Sequence, residues 1–377
     1  MIIPCQKHLF DIPKDVAYLN NAYMSPLMHS VVSAMGAGIA CKVAPWTYAS
    51  DQFFTYPAQA RSLAAKIFGT VSDNIAIVPS ASYGLQIAAN ALPLGRGQEV
   101  LVMADQFPSN IYPWQEKAKA VGAVVTILPV PDDHDWTREI LAAITDKTAI
   151  IAVAQTHWAS GATLDLKKIR TALDAVGGAL VLDLTQSLGA QPFNASDIRP
   201  DFAVCATYKW LMGPYSLGFL YIDPKWHDAD PLEHNWMNRE GSEDFTGLTH
   251  YRDTFQSGAT KFDMGEKSNP AQLMGAIAAM HQILEWGVRH ISETLGAKTE
   301  YIAQAVQDKK ISVLSKNLRA PHYLGLFFEG GVPKTASKTL ADQNIFISVR
   351  GPVLRVTPHL YASETDISRF ITAIEAI

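Results

Sequence analysis

Between residues 60 and 222, short apolar runs and amphipathic stretches alternate, and this pattern limits the fold more than any other feature of the chain. The runs at 75–79, 99–104, 124–129, 149–154 and 179–183 each have the length and β-branching of a buried strand. Helical stretches separate them at 59–68, 80–92, 114–121, 137–143 and 166–175. Such alternation predicts an α/β architecture, a mostly parallel sheet with helices on both faces. In open sheets of this kind, ligands sit in a crevice outside the carboxyl ends of the strands. One run ends on a carboxylate, Asp183, and the next, Asp201 to Thr207, leads into Tyr208 and an amine, Lys209. Both side chains are therefore expected in the same crevice.

A carboxylate and a lysine delivered this way suit pyridoxal phosphate chemistry. The lysine holds the aldehyde as a Schiff base, and the carboxylate keeps the pyridine nitrogen protonated so that the ring takes up electrons. Taken alone, the two residues are equally a structural ion pair at a strand end. Other turns bear on the choice. Ser80-Ala81-Ser82 stands between a strand and a helix, where small hydroxyl residues cap the helix and leave its first N–H groups free for a phosphate. A plain cap accounts for the same residues. Phe107, on the loop after the 99–104 run, is placed to stack on a flat cofactor or simply to pack. No Gly-x-Gly-x-x-Gly follows any of the strands, which argues against a dinucleotide enzyme, and no Walker or His-Glu-x-x-His motif is present. The histidines are scattered, and no metal is assigned.

A net charge of -5 gives no basic footprint for nucleic acid. Cys5, Cys41 and Cys205 are too few and too dispersed for a disulfide framework, so a reducing, cytoplasmic setting fits. The first residues carry no signal-peptide pattern, and the most apolar helical stretch, 273–286, is too short to span a bilayer. Beyond Ile222 the composition changes. Residues 223–262 read as an ordered excursion near a site, followed by a long helix over 271–288. A compact β/α unit then runs to a final helix at 366–377. The expected division is a large domain over 1–284 and a smaller α/β C-terminal domain over 285–377.

The segment Tyr208-Lys209-Trp-Leu-Met-Gly-Pro, preceded by Asp183-x-x-Gln186, resembles the class V aminotransferases. The likeness extends from Tyr18-Leu-Asn-Asn-Ala to the terminal Leu354-Arg355-Val-Thr-Pro-His. It implies the pyridoxal-phosphate-dependent fold type I, with pyridoxal 5'-phosphate as cofactor and an amino acid as substrate. Lys209 would then be the catalytic lysine that binds the cofactor and shuttles the substrate proton. Asp183 would pair with the ring nitrogen, and Gln186 would reach the ring's phenolic oxygen. Ala81, Ser82 and Tyr208 would hold the phosphate, and Phe107 would stack on the ring. Ser268 would reach the phosphate of a neighbouring subunit, which implies a homodimer with active sites at the interface. Arg355 would clamp the substrate carboxylate, with Asn20 and Trp158 bordering the substrate. Tyr208 and Phe107 are of the kynureninase or epimerase kind, where desulfurases carry histidine. The stretch 347–355 lacks the cysteine a desulfurase needs. Transamination is the leading expectation, with epimerisation or a kynureninase-like β-lyase reaction as rivals. A cofactor-binding protein without turnover is the reading of another class. Tyr23 and Trp236 are further candidates for the pocket wall, and Arg350 or Arg239 for reading an acidic side chain.

Overall fold

The apolar runs pair into one seven-stranded sheet, seen here in a computed structural model that describes residues 1–307, 310–375 and 377. Ahead of the sheet come β1 (Ala17–Tyr18), α1 (His29–Ala40) and α2 (Gln52–Phe68). The sheet region then supplies β2 (Ile75–Val78), α3 (Ala81–Ala91), β3 (Glu99–Met103), α4 (Tyr112–Val121), β4 (Val124–Leu128) and α5 (Trp136–Ala143). It continues with β5 (Thr148–Ala154), α6 (Leu166–Asp174), β6 (Ala179–Asp183), α7 (Ala195–Ile198), β7 (Phe202–Ala206) and β8 (Gly218–Ile222).

The strand order is β2-β8-β7-β6-β5-β3-β4. Only β8 runs against its neighbours. It follows β7 after residues 207–217 with no crossover helix, and a short return of that kind makes an antiparallel pair. Helices cover both faces, so the strands bury alternate side chains in two layers. Leu180 and Leu182 of β6 join one core and Val181 the other.

Helix α2 starts earlier than the sequence pattern suggests, because Pro57, which reads as a boundary, lies inside it. Proline lacks the N–H that would bond the carbonyl four residues back. The Ser268 hydroxyl donates to that carbonyl, on Phe53, in its place.

After the sheet come α8 (Pro270–Trp286) and α9 (Val288–Val306), parted at Gly287 with φ 76°. The chain closes with β9 (Ile311–Ser312), β10 (Leu324–Phe328), α10 (Ala336–Ala341), β11 (Ile345–Phe346), β12 (Ser348–Arg350), β13 (Val353–Val356) and α11 (Glu364–Ile374). The end expected for the final helix takes in residue 376, which lies outside the described residues. Four of these strands form an antiparallel sheet, β12-β13-β10-β9. Strand β1 pairs in parallel with β11, and Lys7 bonds Asp366 at the start of α11. The first twenty residues, expected with the larger domain, thus hydrogen-bond to Asn344, Leu360 and Asp366. The excursion over 223–262 consists of short 3-10 turns, with the Asn238 amide anchored on the carbonyls of Lys261 and Asp263. No helix is long and apolar enough to cross a membrane, among the described residues.

Candidate active site

The carboxyl ends of β2, β3, β5, β6 and β7 open on one cavity of about 300 Å³. It is lined by Ala81, Ser82, Phe107, Trp158, Asp183, Gln186, Tyr208 and Lys209. Eight of the residues singled out in the sequence therefore meet at the place where the fold class puts ligands.

Asp183, the last residue of β6, is 7% exposed. Burial pushes its carboxyl pKa up, while the Thr185 hydrogen bonds and the charge of Lys209 oppose the rise. The Thr185 N–H donates to Oδ1 at 2.9 Å. Lys209 is equally buried, and burial lowers its pKa from 10.5 to about 8; Asp183 raises it, and Arg355 adds to the fall. No ion pair joins Asp183 to Lys209, so the plain strand-end salt bridge is not what these residues form. The Lys209 ammonium lies 5.4 Å from the centre of the Tyr208 ring and 5.7 Å from that of Phe107. Its main chain is fixed by the N-terminal strap: Asn21 Nδ2 donates to the Lys209 carbonyl at 3.3 Å, and the Ser25 N–H to that of Tyr208 at 3.0 Å.

On the facing wall, Ser80 is the N-cap of α3, and its Oγ accepts from the Tyr83 N–H at 3.2 Å. This uses the third N–H of the helix; those of Ala81 and Ser82, which line the cavity, have no protein acceptor among the described residues. The Ser82 hydroxyl lies 2.8 Å from that of Ser80. The cap therefore belongs to Ser80 and not to Ser82. Gln186 accepts from Trp210 Nε1 at 3.1 Å and donates to the Ala22 carbonyl at 3.1 Å, which leaves its second amide N–H for the cavity. Tyr208 packs on Tyr215 with ring centres 4.5 Å apart, and burial raises its phenol pKa to about 12. Phe107 and Trp158 meet edge to face at 5.4 Å.

These groups fit pyridoxal phosphate on its own chemistry. A pair of free helix-terminal N–H groups suits a dianionic phosphate. A buried carboxylate that forms no ion pair, among the described residues, suits a pyridinium, and an amine of lowered pKa suits an aldehyde.

Arg355 lies in an adjoining cavity of about 390 Å³ that shares Phe107, Trp158, Tyr208, Lys209 and Tyr215 with the first. Its Nε and Nη2 donate to Ser348 Oγ at 2.9 and 2.6 Å, and its Nη1 to the Trp158 carbonyl at 2.9 Å. Asn20 does not line either cavity. Its Oδ1 accepts from the Ser348 hydroxyl at 2.9 Å, so it acts on the site through Ser348 and Arg355. Ser268, expected to reach a neighbouring subunit's phosphate, is 7% exposed, with its hydroxyl engaged on the Phe53 carbonyl of its own chain. Tyr23 and Arg350 border the second cavity. Trp236 and Arg239 lie elsewhere: Trp236 packs on Phe245 at 5.6 Å, and Arg239 stacks 3.9 Å over Phe255.

Ser348, Thr185, Trp210 and Tyr215 were not marked in the sequence, and nothing in their local pattern distinguishes them. His157 also lines the cavity. Its Nδ1 meets Ser160 Oγ at 3.0 Å, and burial lowers its pKa to about 4, so the ring is neutral.

The sequence profile of the family described as Aminotransferase class-V matches residues 17–360. A protein of Bacillus subtilis (strain 168) described as "Uncharacterized aminotransferase YcbU" is 28% identical over 324 residues, which is 84% of this chain and 82% of that one. A kynureninase of Deinococcus radiodurans is 27% identical over 240 residues, 60% of this chain and 57% of its own length. The apo structure of a cysteine desulfurase from Thermococcus onnurineus NA1 superposes with a TM-score of 0.87 at 19% identity. It covers 100% of this chain and 99% of that one, a likeness of fold. With the profile matched along almost its full length, the chain belongs to the aminotransferase class-V family, and its architecture is fold type I.

Proposed function

We propose that the protein is a pyridoxal-phosphate enzyme that transaminates an amino acid, with Lys209 as its catalytic lysine. One observation carries this reading: Asp183 and Lys209, buried at adjacent strand ends, form no ion pair with each other, and Ala81 and Ser82 at the start of α3 line the same cavity. Pyridoxal phosphate, when bound, supplies an aldehyde that condenses with amines and a protonated ring that draws electrons from the substrate. Lys209 Nζ would hold that aldehyde. The Lys209 amine, whose pKa burial lowers from 10.5 to about 8, would accept the α-proton of the substrate and return it elsewhere. Asp183 keeps the ring nitrogen protonated. Ala81 and Ser82 would hold the phosphate, Phe107 would pack against the ring, and Arg355 would orient the substrate through its α-carboxylate.

The likeness over 84% of the chain to a protein described as an uncharacterized aminotransferase supports transamination among the reactions open to this fold. Cysteine desulfurase activity is disfavoured because no cysteine lines either cavity. Cys205 is buried on β7, Cys5 bonds the Tyr361 carbonyl, and Cys41 caps α1. We place the enzyme in the cytoplasm, in keeping with three free thiols. We also take it to be a homodimer, since the large apolar side chains Trp46 and Tyr251 are 83% and 99% exposed.

The test is a half-reaction. Holoenzyme mixed with a single amino acid and no acceptor should lose its visible band and release the matching 2-oxo acid, and an added 2-oxo acid should restore the band. Release of alanine, or of the opposite enantiomer, would give the reaction to the β-lyase or epimerase rivals.

A further inference from the structure

The hairpin β12–β13 sets two arginines on one face. Its register pairs Ser348 with Arg355 and Arg350 with Val353, and directly opposed residues point the same way. Arg350 and Arg355 are therefore diagonal neighbours. Both guanidiniums flank the Trp158 ring, at 6.0 and 5.7 Å from its centre, and both border the cavity that contains Lys209. No Asp or Glu lines this cavity, in a chain whose formal net charge is -5. Among the described residues, neither arginine has a carboxylate partner. Arg355 is held by Ser348 and the Trp158 carbonyl. Arg350 has one hydrogen bond, from Nη1 to the neighbouring Val349 carbonyl at 2.8 Å, and four of its five N–H groups are left over.

Two like charges set diagonally on one face of a hairpin repel each other. Arg350 shows it: burial lowers its pKa, and Arg355 lowers it further. An arrangement of this kind is relieved by anions. The α-carboxylate of a substrate supplies one, at Arg355, and Arg350 remains without a counter-charge.

We infer that the substrate carries a second carboxylate, as an acidic α-amino acid does, and that Arg350 is the side chain that reads it. Arg355 is fixed by three hydrogen bonds to two partners and so sets the position of the α-carboxylate. Arg350, half-buried at the mouth with its fork free, meets the side-chain carboxylate as the substrate amine reaches Lys209. This rests on the reading of the site as a pyridoxal-phosphate site for amino acids.

The experiment titrates the visible band of the holoenzyme with L-aspartate, L-glutamate, L-asparagine and L-glutamine, a readout that does not depend on which reaction follows. The acid of each pair should bind about ten- to a hundredfold more tightly than its amide, the range for a charge-assisted bond in a partly buried site. In Arg350→Gln that ratio should fall close to one, and Arg350→Lys should retain part of it. A wild-type ratio at or below one overturns the inference while leaving the cofactor reading intact. Equal loss of acid and amide binding in Arg350→Gln also overturns it, by placing Arg350 on the α-carboxylate. A holoenzyme band that no amino acid perturbs removes the underlying reading and the inference with it.

Discussion

Replacing Lys209 with methionine should abolish activity and stabilise the cofactor-free fold. The side chain is 7% exposed, and burial brings its pKa from 10.5 to about 8. At about 1.4 kcal/mol for each tenfold change in proton affinity, that gap makes the protonated amine cost the fold about 3 kcal/mol at neutral pH. Methionine keeps the length and packing of the stem and removes the charge. The sign of the pH dependence follows from the same values. Between about 8 and 10.5 the unfolded chain binds the proton that the folded chain has lost, so wild-type stability rises with pH through this window. The variant has no such group. Urea unfolding of both cofactor-free proteins should show the variant ahead by about 1–3 kcal/mol at neutral pH, with the difference closing as pH climbs through the window. A wild type as stable as the variant at neutral pH, or a difference indifferent to pH, would refute the claim that this lysine is held against its charge.

Three other substitutions separate the parts of the site. Ser348→Ala removes the oxygen that takes two N–H groups of Arg355 and links it to Asn20, so KM should rise about tenfold with a smaller change in kcat, read by steady-state kinetics. Asp183→Asn removes the negative charge expected at the ring nitrogen, and kcat should drop by about a hundredfold or more while the cofactor still binds, as monitored by its absorbance. Ser268→Ala leaves the Phe53 carbonyl beside Pro57 without a donor, and should cost about 1–3 kcal/mol in denaturant unfolding with little change in KM.

Much of this site was legible because the chemistry sits where strands end. Asp183 closes one apolar run and Lys209 follows another, and period alone locates both. Ser82 was marked by a strand-to-helix turn, although the capping turned out to belong to Ser80. The residues that hold the first group in place left no such trace. Ser348 is one serine in a short strand, and its meaning comes only from the β12–β13 register that sets it across from Arg355. The start of α2 was hidden because Pro57 reads as a boundary, and the donor that makes it tolerable is Ser268, far away in the sequence. The pairing of β1 with β11 rests on two residues a side, too few to produce a pattern. Of the two arginines considered for an acidic side chain, only spatial placement chooses Arg350, since Arg239 is stacked on Phe255.

The most direct test of the central claim is to reduce the purified holoenzyme with borohydride, which fixes the cofactor to whichever amine holds it, and then to map the peptides by mass spectrometry. The account predicts a phosphopyridoxyl group on the peptide bearing Lys209, and none on that peptide in Lys209→Ala. A label on another lysine, or a protein that takes up no pyridoxal phosphate at all, would contradict it.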